Sequence, residues 1–145
     1  TGWNKPQPRA ALAGLDLVDV ELSEGPGVAL SGTEIPDAPE PGATLLPALD
    51  PTPMGWKHRG WYLGEHRERL FDRMGNIGPT VWWDGRIVGG WAVRPDGEVV
   101  HRLLEDVGAD ATAAIDEAAT QIRARLDGAT VTASFPTPLE RELRE

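Results

Sequence analysis

Apolar positions follow different spacings along the chain, and each spacing predicts a different element. Residues 6–14 read as a short helix, because proline is tolerated in the first turn and Gly14 can end it. Leu15, Leu17 or Val18, Val20 and Leu22 then alternate loosely at a spacing of two, which predicts a strand. Ser23-Glu24-Gly25-Pro26-Gly27 predicts a turn, with a return strand at Val28-Ala29-Leu30. In residues 32–43 the pattern lapses: three prolines among acidic residues forbid a helix and favour stiff, extended chain. A short strand restarts the pattern at residues 44–51, an aromatic loop follows over 51–62, and a helix is predicted over 65–74 with Leu70 and Phe71 inward.

The next segment predicts a three-stranded meander. Thr80–Trp83 and Arg86–Val93 flank Asp84-Gly85, a dipeptide suited to a turn that needs positive φ at both positions. Pro95-Asp96-Gly97 turns the chain into Glu98–Leu104. Ile115, Ala118, Ala119, Ile122 and Leu126 recur at helical spacing, so Ala109–Leu126 is the clearest helix, stopped by Asp127-Gly128. Thr130–Phe135 predicts a last strand with Val131, Ala133 and Phe135 on one face. Thr137, Pro138 and Glu140 fit a capping box at the start of a terminal helix. The fold class is therefore α+β. A helix plus hairpin over 1–31, which matches the second half of a winged helix, precedes a linker at 32–43. A small antiparallel sheet or barrel-like domain packed by an amphipathic helix spans 44–145.

Composition narrows the function. The 145 residues contain no cysteine, which excludes disulfides, thiolate metal sites and a cysteine nucleophile. No run of about 18 apolar residues exists to span a membrane, no apolar signal region opens the chain, and a cytoplasmic protein is expected. Residue 1 is not Met, which gives the expectation of a piece of a longer protein. Twelve arginines against two lysines suggest a GC-rich bacterial genome. The net charge of −9 argues against general nucleic-acid binding, but the charge is uneven. Residues 1–50 carry net −6 and residues 103–145 net −5, whereas residues 51–102 carry eight basic and six acidic groups, net +2. A phosphate-facing surface belongs in that middle third.

Two stretches carry a family resemblance. Leu45-Leu46-Pro47-Ala48-Leu49-Asp50-Pro51, leading to Arg59, is followed about 30 residues later by Pro79 and then Asp84-Gly85-Arg86, Gly89 and Trp91. In order and spacing these resemble the C-terminal part of the bacterial winged-helix DNA-binding family that includes crosslink-unhooking DNA glycosylases, over most of residues 1–126. The resemblance implies tandem winged helices followed by a small β-rich domain, with DNA and the N-terminal winged-helix domains of the same protein as partners. It also implies that the catalytic pair is a glutamine-x-glutamine or glutamine-x-aspartate motif in the N-terminal region. Gln7 and Gln121 precede Pro8-Arg9 and Ile122-Arg123, so neither forms that motif. No catalytic, cofactor or metal residue is expected in this chain.

The residues themselves leave alternatives open. Trp56, Lys57, His58 and Arg59 form a basic-aromatic cluster in which the cations suit phosphates and Trp56 or Trp61 suits stacking on a base. The competing reading pairs Arg59 with Asp50 inside the fold. Arg69 and Arg73 either face DNA or, with Arg67, form helix-surface ion pairs with Glu65, Glu68 and Asp72. Arg86 at the hairpin tip either enters a groove or is a plain exposed turn residue. Trp82 and Trp83 must point to opposite faces of their strand. His58, His66 and His101 match no metal motif. No Gly-x-Ser-x-Gly, phosphate loop or dinucleotide fingerprint is present. Two functions are therefore expected to compete: a non-catalytic region assisting DNA binding, and a structural or dimerisation module, with a homo-oligomer as a further partner.

Overall fold

The computed structural model describes residues 6–22, 25–34, 36–55, 57–130 and 134–145. They fall into two compact units, Thr1–Pro39 and Glu40–Glu145. In the first, helix α1 (Pro6–Leu12) leads into an antiparallel pair, β1 (Leu17–Leu22) and β2 (Gly25–Leu30), in register from Leu17 opposite Leu30 to Leu22 opposite Gly25. The ladder is longer than the turn residues predict: Gly25, Pro26 and Gly27 belong to the return strand. Gly25 adopts a φ of 118°, open to glycine, and a two-stranded ribbon leaves unpaired N–H positions where proline costs nothing. The predicted turn residues Ser23 and Glu24 lie outside the described residues. No described residue of this unit is buried, and Leu12, Leu15, Val18, Leu22, Val28 and Leu30 are all exposed.

The second unit is built on a four-stranded antiparallel sheet in the order β3 (Ala43–Leu46), β4 (Thr80–Trp83), β5 (Arg86–Val93) and β6 (Val99–Leu103). The predicted meander thus gains β3, and among the described residues β3 and β6 are the edges of the sheet. Helices α2 (Pro51–Gly55), α3 (Gly60–Leu63) and α4 (Arg67–Leu70) lie between β3 and β4, and α5 (Ala109–Leu126) and α6 (Pro138–Arg144) follow β6. β5 is the central buried strand: every residue after Arg86 is inside.

Two apolar layers cover the sheet. Ile115 and Ala119 of α5 pack on Leu45, Val81, Val88, Trp91 and Val93. On the other face Tyr62, Leu63, Leu70 and Phe71 join Leu139 and Leu143 of α6 against Ile87 and Ala92. Val88 and Trp91 reach the same layer although strict alternation would separate them. The register explains it: Trp82 pairs with Ile87 and Val81 with Gly89, so Val88 is bulged out of the ladder. A Cβ at Gly89 would strike the backbone carbonyl of Arg102, and one at Gly90 would lie 2.7 Å from Leu139 Cδ2, so both glycines serve close packing.

The helix predicted over 65–74 is replaced by four residues of α4. Phe71 turns to extended backbone and bridges Ile77, while Asp72 ties the intervening turn. Asp72 Oδ1 accepts the Met74 and Asn76 backbone N–H groups at 2.8 Å each, and Oδ2 accepts from Asn76 Nδ2 at 3.0 Å. A carboxylate offering such bonds competes with the helix for its own backbone. The stretch 51–62, predicted as loop, contains α2 and most of α3. Asp50 Oδ1 caps the first of these by accepting Thr52 N–H at 2.9 Å, with Pro51 next to it. Of the predicted strand 130–135, Val131, Thr132 and Ala133 lie outside the described residues, and Phe135 sits exposed in a bend. α6 begins as its capping residues predict: the Thr137 hydroxyl accepts Glu140 N–H at 3.3 Å.

Candidate nucleic-acid interface

The residues expected to meet DNA divide by what already holds them. Arg59 is committed inside the fold, with a different partner from the one the sequence suggests. Its guanidinium donates to the Pro53 carbonyl and sits 4.9 Å from the centroid of Phe71, while the Asp50 carboxylate is used as the α2 cap. Arg67 stacks on the same ring at 4.8 Å. Tyr62 closes this region from below. Its hydroxyl donates to Thr52 O at 3.0 Å and its ring stacks on Trp82 at 5.4 Å. Burial pushes the phenol above its ordinary pKa, the nearby Arg59 charge opposes the shift, and Asp50 adds to it.

Arg69 and Arg86 also have internal partners. Arg69 and Arg102 both reach Glu142 Oε2 at 2.7 Å, so a carboxylate of α6 gathers two guanidiniums from α4 and β6. This replaces the expected ion pairs along one helix, which the four residues of α4 are too short to arrange. Arg69 Nε is buried without a hydrogen-bond partner. Asp84 and Gly85 adopt φ of 46° and 75°, the mirror-image turn that their identity predicts. At that tip Arg86 lies 3.3 Å from Glu105 Oε1, whose other oxygen is 2.9 Å from His66 Nε2. Trp82 and Trp83 do face opposite layers, and Trp91 donates its indole N–H to Leu46 O at 2.8 Å. Trp91 is buried, and Trp82 and Trp83 are half-buried.

Lys57, His58 and Arg73 are exposed and make no hydrogen bond or ion pair among the described residues. Trp56 lies outside the described residues. Three residues after His58, in α3, Trp61 is 54% exposed, its ring edge-on to Tyr62 at 4.9 Å. Trp61 and Tyr62 wall an open pocket of about 360 Å³ with Pro51, Thr52 and Gly55. Arg73 enters a larger groove of about 830 Å³, which also receives Arg67, Arg141, Met74 and Phe135. Sequence reasoning missed Arg141, Met74 and Phe135 as candidates. The sequence pattern places Phe135 on one face of a last strand, and only the fold brings the start of α6 beside the turn after α4. The histidines part company: His66 meets Glu105, His101 meets Asp116 at 3.4 Å, and His58 is exposed. Among the described residues no cluster of three or more histidines and carboxylates is placed to hold a metal.

The family described as DNA glycosylase AlkZ-like matches residues 1–125. The chain belongs to this AlkZ-like family. Its fold is similar to that of the Streptomyces sahachiroi DNA glycosylase AlkZ, with a TM-score of 0.56 and 24% sequence identity over 84% of this chain. The match covers 35% of the Streptomyces protein, so the AlkZ-like chain corresponds to about a third of that solved structure. Among curated proteins none is a significant match. The two glutamines of this AlkZ-like chain lie in helices: Gln7 in α1, and Gln121 in α5, where its amide is 3.4 Å from Glu117 Oε1. No helix among the described residues is long and apolar enough to cross a membrane.

Proposed function

We propose that this chain is a non-catalytic, DNA-contacting region of a bacterial, cytoplasmic AlkZ-like repair protein. The observation that carries the reading is the loop between α2 and α3. Its Lys57 and His58 are exposed with no internal partner among the described residues, and an exposed Trp61 follows three residues after His58, in α3. Cations fix a phosphate backbone without regard to sequence, and an exposed indole adds a stacking or wedging surface. The helix and hairpin of residues 1–31 are read as the recognition helix and wing of a winged helix, joined by the linker 32–43 to the domain over 44–145. Six exposed large apolar residues in the first unit support that reading, since a two-stranded ribbon alone is marginal in water. Winged-helix domains of the same protein would cover them.

The test is binding of a labelled duplex as a function of salt. Each phosphate neutralised contributes a slope of roughly −0.9 in log K against log salt. Lys57→Ala is expected to reduce the slope by about one unit and leave the thermal midpoint unchanged. Absence of binding at about 50 mM salt, where phosphate contacts are strongest, would refute the reading for this chain. The alternative is a structural or dimerisation module without DNA contact. The internal engagement of Arg59, Arg69 and Arg86 favours it. Its expected result is a concentration-dependent mass in sedimentation and no response to DNA.

A further inference from the structure

We infer that the groove between the turn after α4 and the start of α6 seats one unpaired nucleotide. The inference rests on the DNA-contacting reading but assigns the contact to a different place from Lys57 and Trp61. The groove has a volume of about 830 Å³, within the range of roughly 300–1,000 Å³ common for ligand pockets. Arg67, Arg73 and Arg141 line it against two carboxylates, Glu68 and Asp72. Asp72 spends both oxygens on the backbone and side-chain N–H groups of its own turn. Those donors also hold its carboxyl below the usual range, with the Asn76 backbone N–H contributing most. Arg141 gives one N–H to Pro136 O at 3.1 Å and keeps the rest of its fork. Arg73 makes no hydrogen bond or ion pair among the described residues.

Two large apolar side chains stand open in the same groove: Phe135 at 65% exposure and Met74 at 74%. A site for a free phosphate has no use for them, and a site for an apolar segment has no use for three arginines. A nucleotide uses both parts: its phosphate takes the guanidiniums of Arg73 and Arg141, and its base lies on the Phe135 ring. A paired, stacked base hides its face, so the occupant is an unpaired nucleotide from a single strand or an extruded position.

The experiment measures fluorescence anisotropy of a labelled thymidine octamer, an abasic octamer of equal charge, and a duplex, at low salt with the full chain. Phe135→Ala is expected to weaken the thymidine strand about fivefold or more and leave the abasic strand unchanged, since only a base can stack. Arg73→Glu is expected to weaken both single strands. Arg73 is exposed, so its variant is expected to keep the wild-type thermal midpoint. If Phe135→Ala affects neither strand, or both alike, no base is seated and the inference fails. If single-strand affinity falls only with Lys57→Ala or Trp61→Ala, the groove is excluded while the DNA reading stands. If none of the three nucleic acids binds, both readings fall together.

Discussion

A residue's function here depends on whether its charge is already spent. Arg59 and Lys57 are two positions apart, both basic, yet Arg59 tethers α2 through Pro53 O and lies over Phe71, while Lys57 is exposed. Nothing in their local sequence separates them. The aromatic ring that holds Arg59 comes from beyond α4, a contact made by the fold. Asp72 shows the same principle on the acidic side, where its consequence is a pH dependence. Its carboxyl is held low by N–H donors of the turn, so the folded state binds the proton less readily than the unfolded chain. The resulting stability is present above the unfolded value of about 3.9 and is lost as pH falls through the lowered folded value. Thermal midpoints of wild type and Asp72→Asn are therefore expected to differ at neutral pH and to converge below about pH 4. Parallel curves down to pH 2 would mean that the turn does not depend on the ionised carboxylate.

At the scale of elements, periodicity and caps were most legible where local chemistry and tertiary packing agree. α5 spans the residues its apolar spacing predicts, and Ile115 is fully buried beneath it. Ile115→Ala is expected to lower unfolding free energy by about 2–5 kcal/mol in denaturant titration, because the hole opens between helix and sheet. Thr137→Ala removes the α6 cap and is expected to cost about 1 kcal/mol in the same measurement. A loss for Thr137→Ala as large as that for Ile115→Ala would show that more than a cap is removed. Legibility failed where an element ends for a reason outside its own pattern. The apolar pair Leu70 and Phe71 suits a helix over 65–74, but Phe71 is taken up by a bridge to Ile77 and Asp72 by its turn. The sequence marks β3 as a strand but not its partner, because pairing with β4 is a contact across α2, α3 and α4. The candidate groove was least legible of all, since Arg73 and Phe135 meet only after α6 packs beside α4.

For the whole molecule, the decisive quantity is the distribution of charge. The middle third carries net +2, yet part of that excess is returned by carboxylates from the acidic C-terminal third. Glu142 takes Arg69 and Arg102, and Glu105 takes Arg86 and meets His66. These ion pairs are partly exposed, so each contributes at most about 1 kcal/mol to stability and salt weakens it further. Their larger effect is on the field a polyanion meets. Glu142→Gln removes one negative charge and leaves the Arg69 and Arg102 guanidiniums without their counter-ion on the face shared by α4, β6 and α6. If DNA is drawn to this unit by charge, that variant binds a duplex or a single strand more tightly than wild type at low salt. Its salt slope also steepens, since more phosphates are neutralised. Its thermal midpoint is expected to stay within a few degrees of wild type, because a glutamine amide still accepts one of the two guanidinium bonds. Unchanged affinity with an unchanged slope would mean that Arg69 and Arg102 serve only to dock α6. The nucleic-acid contact would then be confined to the side chains without a partner among the described residues, Lys57, His58 and Arg73, and a further loss on Lys57→Ala in the Glu142→Gln background would locate it at the loop between α2 and α3.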